Sequence, residues 1–401
     1  MTSNPGISII MPVYNGARYL ASALATVQEQ TLPNWELIVV DDGSTDDTPA
    51  LLAQRPSDNR CYVIRQSNLG LAAARNRGLA AAQCEYIAFL DVDDAWHPSY
   101  LGQMCAALDR APNAVAAFCG WQYSNEAGTL LPQAVVLSKQ DLSRLDQDLL
   151  WRNSILPSGL VARRQAVLQA GGFDETLRAC EDWDLWLRLK ALGPFVAVPE
   201  VLMWYRTHSE SMTDNIANIE RERLKVNAKH LGRLDEPLAD WPAARRQAVG
   251  FTYFMTALGY LRQEDVARGK DKARQALQCW PDLLEQDEFY YELGCAYQAR
   301  GLRGTAHGLD LEAGAALIRD ILADSPAAVR PRSMPVYWGR ACLVLARLAN
   351  NTCNRRGCRA YAFRALRLAS GRDRLQALRL LAGSAVPDAW LRAAGRARAS
   401  S

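Results

Sequence analysis

The first hundred residues alternate short apolar runs with segments of helical periodicity. Four of these runs are rich in β-branched and aromatic residues and are predicted to be strands: Ile7–Met11, Glu36–Val40, Cys61–Arg65 and Tyr86–Leu90. Between the first two, the apolar positions have the i, i+3, i+4, i+7 spacing of one buried helical face: Leu20, Ala23, Leu24 and Val27. This alternation is typical of βαβ units. It predicts an α/β fold with a mostly parallel sheet and helices on both faces.

The remainder of the N-terminal half is less regular. Three segments carry good helix formers or helical spacing and are predicted to be helices: residues 69–83, Tyr100–Leu108 and residues 181–193. Two short apolar runs, Phe195–Val198 and Leu202–Tyr205, are predicted to be strands. The segment Gln133–Asp148 shows neither pattern and is interpreted as a mobile insertion.

Strand patterns stop at about residue 216, and Ala, Leu, Arg and Gln then dominate in helix-length blocks separated by prolines. We therefore expect two domains, an α/β domain over residues 1–215 and an all-α domain of unknown role over residues 216–401. Their formal charges differ, since the first carries −8 and the second +11. Residues 330–401 contain 15 Arg, no Lys and two Asp, which predicts an anionic partner.

Composition excludes several classes of protein. With 401 residues, 49% hydrophobic and 22% charged, the chain has the proportions of a folded protein, not of a disordered or collagen-like one. A membrane-spanning helix is not expected, because the best apolar stretch, Val336–Ala349, is short and interrupted by Arg340 and Arg347. The N-terminus is interpreted as a strand and not a signal peptide. The ten scattered cysteines suggest reduced thiols in a cytoplasmic protein.

Asp91-Val92-Asp93 follows directly after the fourth predicted strand. Carboxylates at i and i+2 of an extended backbone point the same way, and such hard oxygen ligands suit Mg²⁺ or Mn²⁺ together with substrate phosphates. A cation held there would neutralise a diphosphate leaving group. The alternative is a solvated acidic loop. An EF-hand is excluded, because Trp96 and Gly102 stand where Gly and Glu are required.

A second acidic cluster, Asp41-Asp42, follows the second predicted strand. Ligands of open α/β sheets bind at the carboxyl ends of the strands, so one ligand could contact both clusters. Ser44 and Asp46 are equally explained as caps of the next helix. Asp41 and Asp42 precede the turn and are harder to explain as caps.

The third cluster is Glu181-Asp182, at the start of a predicted helix that also carries Trp183 and Trp186. A carboxylate flanked by aromatic rings that exclude water and stack on sugars has the surroundings of a general base. The alternative is a pair of acids favoured by the helix dipole on a surface helix, with both tryptophans in the core.

The combination of motifs resembles the inverting family 2 glycosyltransferases of the GT-A fold. The segments that carry the resemblance are ISIIMPVYNG, NWELIVVDDGSTDDT, NLGLAAARNRG, YIAFLDVDD, GGFDE and EDWDLWLRLK. They occur in the order and spacing of that family over roughly residues 6–210. The resemblance implies a GT-A type sheet in the first domain and says nothing of residues 216–401.

The resemblance also implies a nucleotide site at the ends of the first two strands. Pro12, Tyr14 and Asn15 match the loop that holds the nucleotide base. Asp41, with Asp42 beside it, matches the acid that accepts a hydrogen bond from N3 of uracil, so a UDP-linked donor is expected.

The diphosphate and metal are implied to bind further along the same edge of the sheet. Arg75 and Asn76 match positions that lie along the nucleotide-sugar and diphosphate, although Arg75 is equally explained as a surface helix charge. Asp91 and Asp93 match the D-x-D motif and imply a bound Mn²⁺ or Mg²⁺. Asp93 is expected to be the direct metal ligand, with Asp91 nearer the ribose or sugar.

The remaining implied residues belong to the reaction itself. Asp182 matches the catalytic base of the E-D motif. Arg206 and His208 resemble an Arg-x-His pair that closes over the diphosphate, with His208 as a further metal ligand. A purely structural His208 is the alternative.

The implied function is inverting, metal-dependent transfer of a hexosyl or N-acetylhexosaminyl group from a nucleotide-sugar to a hydroxyl of a glycan or lipid-linked acceptor, in polysaccharide biosynthesis. The Q-x-x-R-W motif of processive synthases is not found, which favours transfer of one or a few residues. The alternative is a non-catalytic protein of the same fold that binds nucleotide-sugars or glycans. Nucleic-acid binding is not expected, since no recognition motif accompanies the Arg-rich end.

The basic region suggests where the protein acts. We expect a cytoplasmic protein, with a second hypothesis that residues 216–401 contact the inner face of the cytoplasmic membrane through anionic lipid. A solvated basic face or an oligomer contact is the alternative.

Overall fold

The computed structural model describes residues 6–54, 58–136, 145, 148–208, 215–325, 334–368 and 371–385. The chain forms two compact units, Met1–Ala248 and Val249–Ser401. The first unit combines a sheet with helices, and the second is helical.

The first unit contains one mixed sheet. Its strands, as far as the structure describes them, are β1 Ile7–Val13, β2 Trp35–Asp41, β3 Cys61–Arg65, β4 Tyr86–Phe89, β5 Ala95–Trp96, β6 Ala116–Ser124, β7 Leu130–Val135, β8 Leu160–Arg163 and β9 Phe195–Arg206. They lie in the order β3-β2-β1-β4-β8-β6-β9-β5, and β7 pairs with β6.

Parallel pairing dominates the N-terminal part of this sheet. β1 is parallel to β2 and β4, and β2 is parallel to β3. β8 is antiparallel to β4 and β6, whereas β9 is parallel to β6 and antiparallel to β5. Because β1, β2 and β4 run in one direction, the residues that follow them meet at the same edge of the sheet.

Helices cover both faces of the sheet. The helices that the structure describes in the first unit are α1 Ala17–Gln28, α2 Thr48–Gln54, α3 Leu71–Ala81, α4 Tyr100–Arg110, α5 Arg164–Gln169, α6 Glu181–Lys190 and α7 Ile216–Leu231. Successive residues of β1 point to opposite faces, so Ile9 packs into the core that includes α1 and α4, and Ile10 into the core that includes α3 and α6. Each fully buried side chain of this kind stabilises the fold by about 1.5–3 kcal/mol.

The second unit is a packed set of helices. α8 Ala243–Arg262 crosses the division between the units, and the following helices are α9 Val266–Cys279, α10 Asp287–Gly294, α11 Leu311–Asp324, α12 Met334–Asn351, α13 Arg355–Leu368 and α14 Gly371–Ala385. Its core contains large aromatic side chains that are at most 1% exposed: Phe254, Phe289, Tyr290, Tyr337 and Tyr361. α12 is its central helix, since it contacts α10, α11, α13 and α14.

The predicted fold class, an α/β sheet with helices on both faces followed by an all-α region, is confirmed. The parallel part predicted from the sequence is the β3-β2-β1-β4 segment. The two strands predicted at 195–198 and 202–205 are wrong in one respect, because they form the single strand β9, whose register with β6 shifts near Gly120. Most of the predicted insertion at 133–148 lies outside the described residues.

α7 belongs to the first unit, although the sequence analysis places its residues after the domain boundary at 215. Its Lys229 Nζ and His230 Nε2 lie 2.9 Å and 2.8 Å from Oδ1 of Asp184, a buried residue of α6. These contacts fasten α7 to α6. Polar contacts of this kind leave no apolar pattern in the sequence, which explains why composition assigned the segment to the helical region.

Among the helices that the structure describes, none has both the length and the apolar composition needed to cross a membrane. The ten cysteines form no disulfide bonds. Burial raises the pKa of several of these thiols, for example that of Cys84 to about 12, so they are protonated near neutral pH.

The close approach of α3 to β1 predicts a stability difference between two glycines. A Cβ at Gly78 of α3 would lie 2.4 Å from Cγ2 of Ile10, whereas a Cβ at Gly102 of α4 would meet no atom within 4 Å. We expect Gly78→Ala to lower the free energy of unfolding by about 1–3 kcal/mol. Gly102→Ala should raise it by about 0.5–1 kcal/mol. Urea unfolding of both variants measures the difference, and equal effects would contradict this packing.

Candidate active site

The ends of β1, β2 and β4 bring two of the acidic clusters to one edge of the sheet. Val13, the last residue of β1, is paired in register with Asp41, the last residue of β2. On the other side of β1, Ile10 is in register with Phe89 of β4, and Asp91 follows two residues later. Neighbouring strands are about 4.8 Å apart, so β2 and β4 are separated by roughly 10 Å across β1. A nucleotide could span that distance.

Asp41 and Asp42 are both buried, with 1% and 3% of their surfaces exposed. Oδ1 of Asp41 accepts a hydrogen bond from the backbone N–H of Ser44 at 2.9 Å, and Arg65 Nε lies 3.4 Å from its Oδ2. Asp42 accepts bonds from the backbone N–H groups of Leu69 and Gly70, each at 2.9 Å. Asp42 therefore anchors the loop that leads into α3.

The loop after β1 is held against the loop after β2. Asn15 has a φ of +52°, an uncommon conformation for a residue with a side chain. Its Oδ1 accepts a hydrogen bond from the backbone N–H of Thr45 at 2.8 Å, and its own N–H donates to Oγ of Ser44 at 2.9 Å. Pro12 is buried within β1, whereas Tyr14 is 50% exposed and offers an aromatic face at this edge.

Arg75 of α3 connects the D-x-D cluster to the third acidic cluster. The residue is 1% exposed; its Nη2 lies 2.6 Å from Oδ1 of Asp91, and its Nη1 contacts Oε1 of Glu181. Burial disfavours the charged guanidinium, but the two carboxylates outweigh it and raise the pKa of Arg75. The alternative of a surface helix charge is therefore wrong for Arg75, since the side chain is interior.

More negative than positive charge is buried around this guanidinium. Burial raises the pKa of Glu181 to about 7, although the attraction of Arg75 opposes the shift. Burial also raises the pKa values of Asp91 and Asp182, again against the attraction of Arg75. These three carboxylates therefore have an increased affinity for a proton or for a cation.

Asp182 lies in the first turn of α6. Its Oδ2 accepts a hydrogen bond from Nδ2 of Asn153 at 2.8 Å, and its Oδ1 accepts one from the backbone N–H of Trp183 at 2.7 Å. Cys180, two residues before Asp182, has a φ of +60°, so the backbone is strained where the helix begins. Trp183 and Trp186 are fully buried, so the hypothesis that they stack on sugars is wrong and their place in the core is as the alternative has it. The surface helix of that alternative is wrong, because Glu181 is 4% exposed.

Asp93 faces the end of β9 across the same edge. Its Oδ2 lies 2.9 Å from Nε2 of His208, and its backbone carbonyl accepts a hydrogen bond from Nε of Arg206 at 2.8 Å. Arg206 also donates through Nη1 to the carbonyl of Glu126 at 3.0 Å. Ring centroids of His208 and Tyr19 are 5.0 Å apart. The structure therefore brings His208 and Arg206 to the D-x-D loop, as expected for residues of one site.

Two residues that the sequence analysis did not single out hold the D-x-D loop in place. Asp94 is buried and accepts a hydrogen bond from Oγ of Ser158 at 2.6 Å. The same Oγ accepts a bond from the backbone N–H of Asp91 at 3.1 Å. Asn153 lies in the segment before β8, Ser158 lies in a short 3-10 helix directly before that strand, and no local motif marks either residue.

The side chain of Asn76 is hydrogen-bonded to a different part of the first unit. Its Nδ2 donates to the backbone carbonyl of Phe173 and to Oε1 of Glu175, at 2.9 Å and 2.8 Å, and its Oδ1 accepts from the N–H of Phe173 at 2.8 Å. These bonds tie α3 to the segment before α6. They explain Asn76 without a ligand, and its contact with a nucleotide-sugar stays a prediction.

Comparison with known proteins identifies the class to which this fold and site belong. The profile of the family described as Glycosyl transferase family 2 matches residues 8–172. An uncharacterized glycosyltransferase of Rickettsia typhi is 31% identical over 220 residues, which are 54% of this chain and 69% of that protein. TuaG of Bacillus subtilis, named as a candidate teichuronic acid biosynthesis glycosyltransferase, is 33% identical over 217 residues, 53% of this chain and 82% of TuaG. Residues 1–349 of S. aureus TarS match with a TM-score of 0.50 at 17% identity, covering 75% of this chain and 89% of that one.

The matched family and relatives are glycosyltransferases, and the protein is a glycosyltransferase. The chain belongs to glycosyltransferase family 2, as the motifs in its first 210 residues predicted. The likeness to TarS supports the GT-A type fold alone.

The buried Glu181 predicts a pH dependence of stability. Its pKa is raised from 4.5 to about 7, so the folded state binds a proton more tightly than the unfolded state. The stability contributed by this proton is complete below pH 4.5 and is lost as the pH rises through 7. We expect the free energy of unfolding of Glu181→Gln to fall less between these pH values than that of the unchanged protein. Glu200→Gln, at an exposed position of β9, is the control and should keep the original slope.

Proposed function

We propose that the protein catalyses inverting, non-processive transfer of a hexosyl or N-acetylhexosaminyl group from a UDP-sugar to a hydroxyl of a glycan or lipid-linked acceptor. The observation that carries the proposal is the convergence of Asp91, Asp182 and Arg75, with Asp93 and His208 alongside, at one edge of the sheet. A single displacement needs a carboxylate that accepts the proton of the acceptor and, close to it, a site for the cation that neutralises the leaving diphosphate.

Asp182 is the proposed general base. Its raised pKa makes it a stronger base than an exposed aspartate, and Asn153 together with the N–H of Trp183 orients its carboxylate. In the proposed step, the acceptor oxygen forms a bond to the anomeric carbon as its proton passes to Asp182. The bond from that carbon to the diphosphate oxygen breaks on the opposite face. The nucleoside diphosphate leaves with the electron pair, and the anomeric configuration inverts.

Asp93 and His208 fit a divalent cation. The donor set combines a carboxylate oxygen with an imidazole nitrogen, and their nearest atoms are 2.9 Å apart, close enough to face one ion. The described part of the chain groups no three His, Cys, Asp or Glu side chains in a metal-binding arrangement, so diphosphate oxygens would complete the coordination. When bound, Mn²⁺ or Mg²⁺ would neutralise the charge that develops on the leaving diphosphate. Asp91, paired with Arg75, is proposed to face the ribose or sugar and to support the ion from nearby.

The nucleotide is proposed to lie across the ends of β1 and β2. Tyr14 is exposed there and can stack on the base, while the buried Asp41 offers carboxylate oxygens to an N–H donor such as N3 of uracil. Arg65, which pairs with Asp41 at 3.4 Å and is 61% exposed in its side chain, would have to accommodate the base. Arg206 is proposed to close over the diphosphate from β9.

Loss of the proposed base should affect turnover and spare donor binding. We expect Asp182→Asn to lower kcat about 100-fold or more, because general-base catalysis contributes roughly that much. The Kd for UDP, measured by titration calorimetry, should stay within about two-fold of that of the unchanged protein. Asp240→Asn, at an exposed position outside the site, is the matched control. Unchanged turnover in Asp182→Asn would contradict the assignment.

Removal of the metal tests the role of Asp93 independently of the role of the general base. We expect EDTA to abolish transfer and added Mn²⁺ to restore it. Asp93→Asn should weaken Mn²⁺ binding in the presence of UDP by at least about ten-fold, as observed when metal-site partners are lost. Titration of Mn²⁺ followed by electron paramagnetic resonance gives the affinity directly. Full activity without metal would remove Asp93 and His208 from the proposed ligand set.

A further inference from the structure

Helices α13 and α14 of the second unit each expose a face that combines arginines with apolar side chains. On α13 the exposed residues are Arg356, Arg359, Phe363, Arg364 and Arg367. They recur every three or four positions, so they form one stripe along the helix. On α14 the exposed stripe contains Arg372, Arg374, Leu375, Leu378 and Arg379. We name these two stripes the α13–α14 face.

The apolar members of the α13–α14 face are unusually open to solvent. Phe363, Leu375 and Leu378 are 48%, 51% and 47% exposed. The opposite sides of the two helices are buried, for example at Tyr361 and Ala377, so both helices are already packed against the unit and do not need the exposed residues for their cores. Each helix is therefore amphipathic, and its outer side is also partly apolar.

The arginines of the α13–α14 face are not held in ion pairs within the described part of the chain. Arg340 and Arg347 of α12 pair with Glu285 and Asp287, but none of the seven arginines of the α13–α14 face has an ion pair there. Only one acidic residue, Asp373, occurs between 355 and 385. Arginines without carboxylate partners beside exposed Leu and Phe suit a partner that is anionic at its surface and apolar below it.

We propose that the α13–α14 face binds the surface of an anionic phospholipid bilayer. Arginine head groups would contact lipid phosphates, while Phe363, Leu375 and Leu378 would enter the boundary between head groups and acyl chains. An acidic protein or a nucleic acid would satisfy the arginines and leave the apolar residues exposed, which is why the bilayer is favoured. The inference concerns attachment, and it does not depend on the reaction proposed above.

Vesicle sedimentation with the full chain tests the proposal. We expect the protein to sediment with vesicles of equal parts phosphatidylglycerol and phosphatidylcholine and to stay in solution with pure phosphatidylcholine. The variant R356Q/R359Q/R367Q should bind the anionic vesicles roughly 100-fold more weakly, since each basic residue near such a surface contributes about a factor of five. The control R110Q/R233Q/R268Q removes the same charge from exposed positions elsewhere and should bind normally.

A second variant separates the apolar contribution from the electrostatic one. We expect F363S/L375S/L378S to lose most of the binding that persists in about 0.5 M NaCl, where electrostatic attraction is screened. All replaced side chains are exposed, and circular dichroism should show unchanged unfolding temperatures. The proposal would be overturned if R356Q/R359Q/R367Q and its control R110Q/R233Q/R268Q lost vesicle binding equally, or if the unchanged protein bound neutral and anionic vesicles equally. Binding to duplex DNA without binding to vesicles would overturn it as well. Donor hydrolysis in solution should be the same in every variant, so failure of the attachment is distinguishable from failure of the enzyme assignment.

Discussion

The acidic residues of the site depend on one interaction, the ion pairing of Asp91 and Glu181 with the buried guanidinium of Arg75. It lies between Asp91 and Glu181 at 1% exposure, with Asp182 next to Glu181 in the sequence. Burying several carboxylates without a counter-charge would cost several kcal/mol for each ion. Arg75 offsets part of that cost and fixes the distance between the D-x-D loop and α6. The residue that the motif placed along the diphosphate therefore acts in this structure as an interior counter-ion.

The same site is held from its other side by neutral and backbone contacts. Ser158 bridges the N–H of Asp91 and the carboxylate of Asp94, and Arg206 binds the carbonyl of Asp93. Asp93, with 28% of its side chain exposed, is thereby left at the open side of the loop, whereas the side chain of His208 beside it is 8% exposed. Pre-organised groups of this kind need little rearrangement when charge develops on a leaving group. The strained backbone of Asn15 and Cys180 lies next to the same site, where such strain is commonly retained.

The sequence predicts the parts of the fold that have a strong period. The predicted β3 coincides with the observed strand, and the predicted β1, β2 and β4 agree with the observed ones within two residues at each end, because apolar runs bounded by turn formers have few alternatives. β6 and β8 were not predicted, since the small residues of Ala116–Gly120 and Gly159–Ala162 resemble loop or helix composition. The candidate residues were found where a motif occurs beside a strand end. Asn153, Ser158 and Asp94 act through contacts between distant segments, and such contacts have no local signature.

The local sequence does not show which charged side chains are buried. Arg75 looks like a surface residue within an Ala-rich helix, and only the placement of α6 against α3 shows that it is interior. The segment after residue 215 looks like part of the basic helical region, but its pairs with Asp184 place it in the first unit. In both cases an ion pair between separate elements shows where the residue or segment lies in the fold.

In the proposed site, the acids at this edge of the sheet converge around one nucleotide-sugar and one divalent cation. Anomalous diffraction from crystals grown with UDP and Mn²⁺ tests it most directly. We predict one strong manganese peak in contact with Asp93, with the uracil at Tyr14 and Asp41 and the carboxylate of Asp182 facing the open space beyond the diphosphate. A manganese peak remote from Asp93, or UDP bound away from the ends of β1 and β2, would contradict the account.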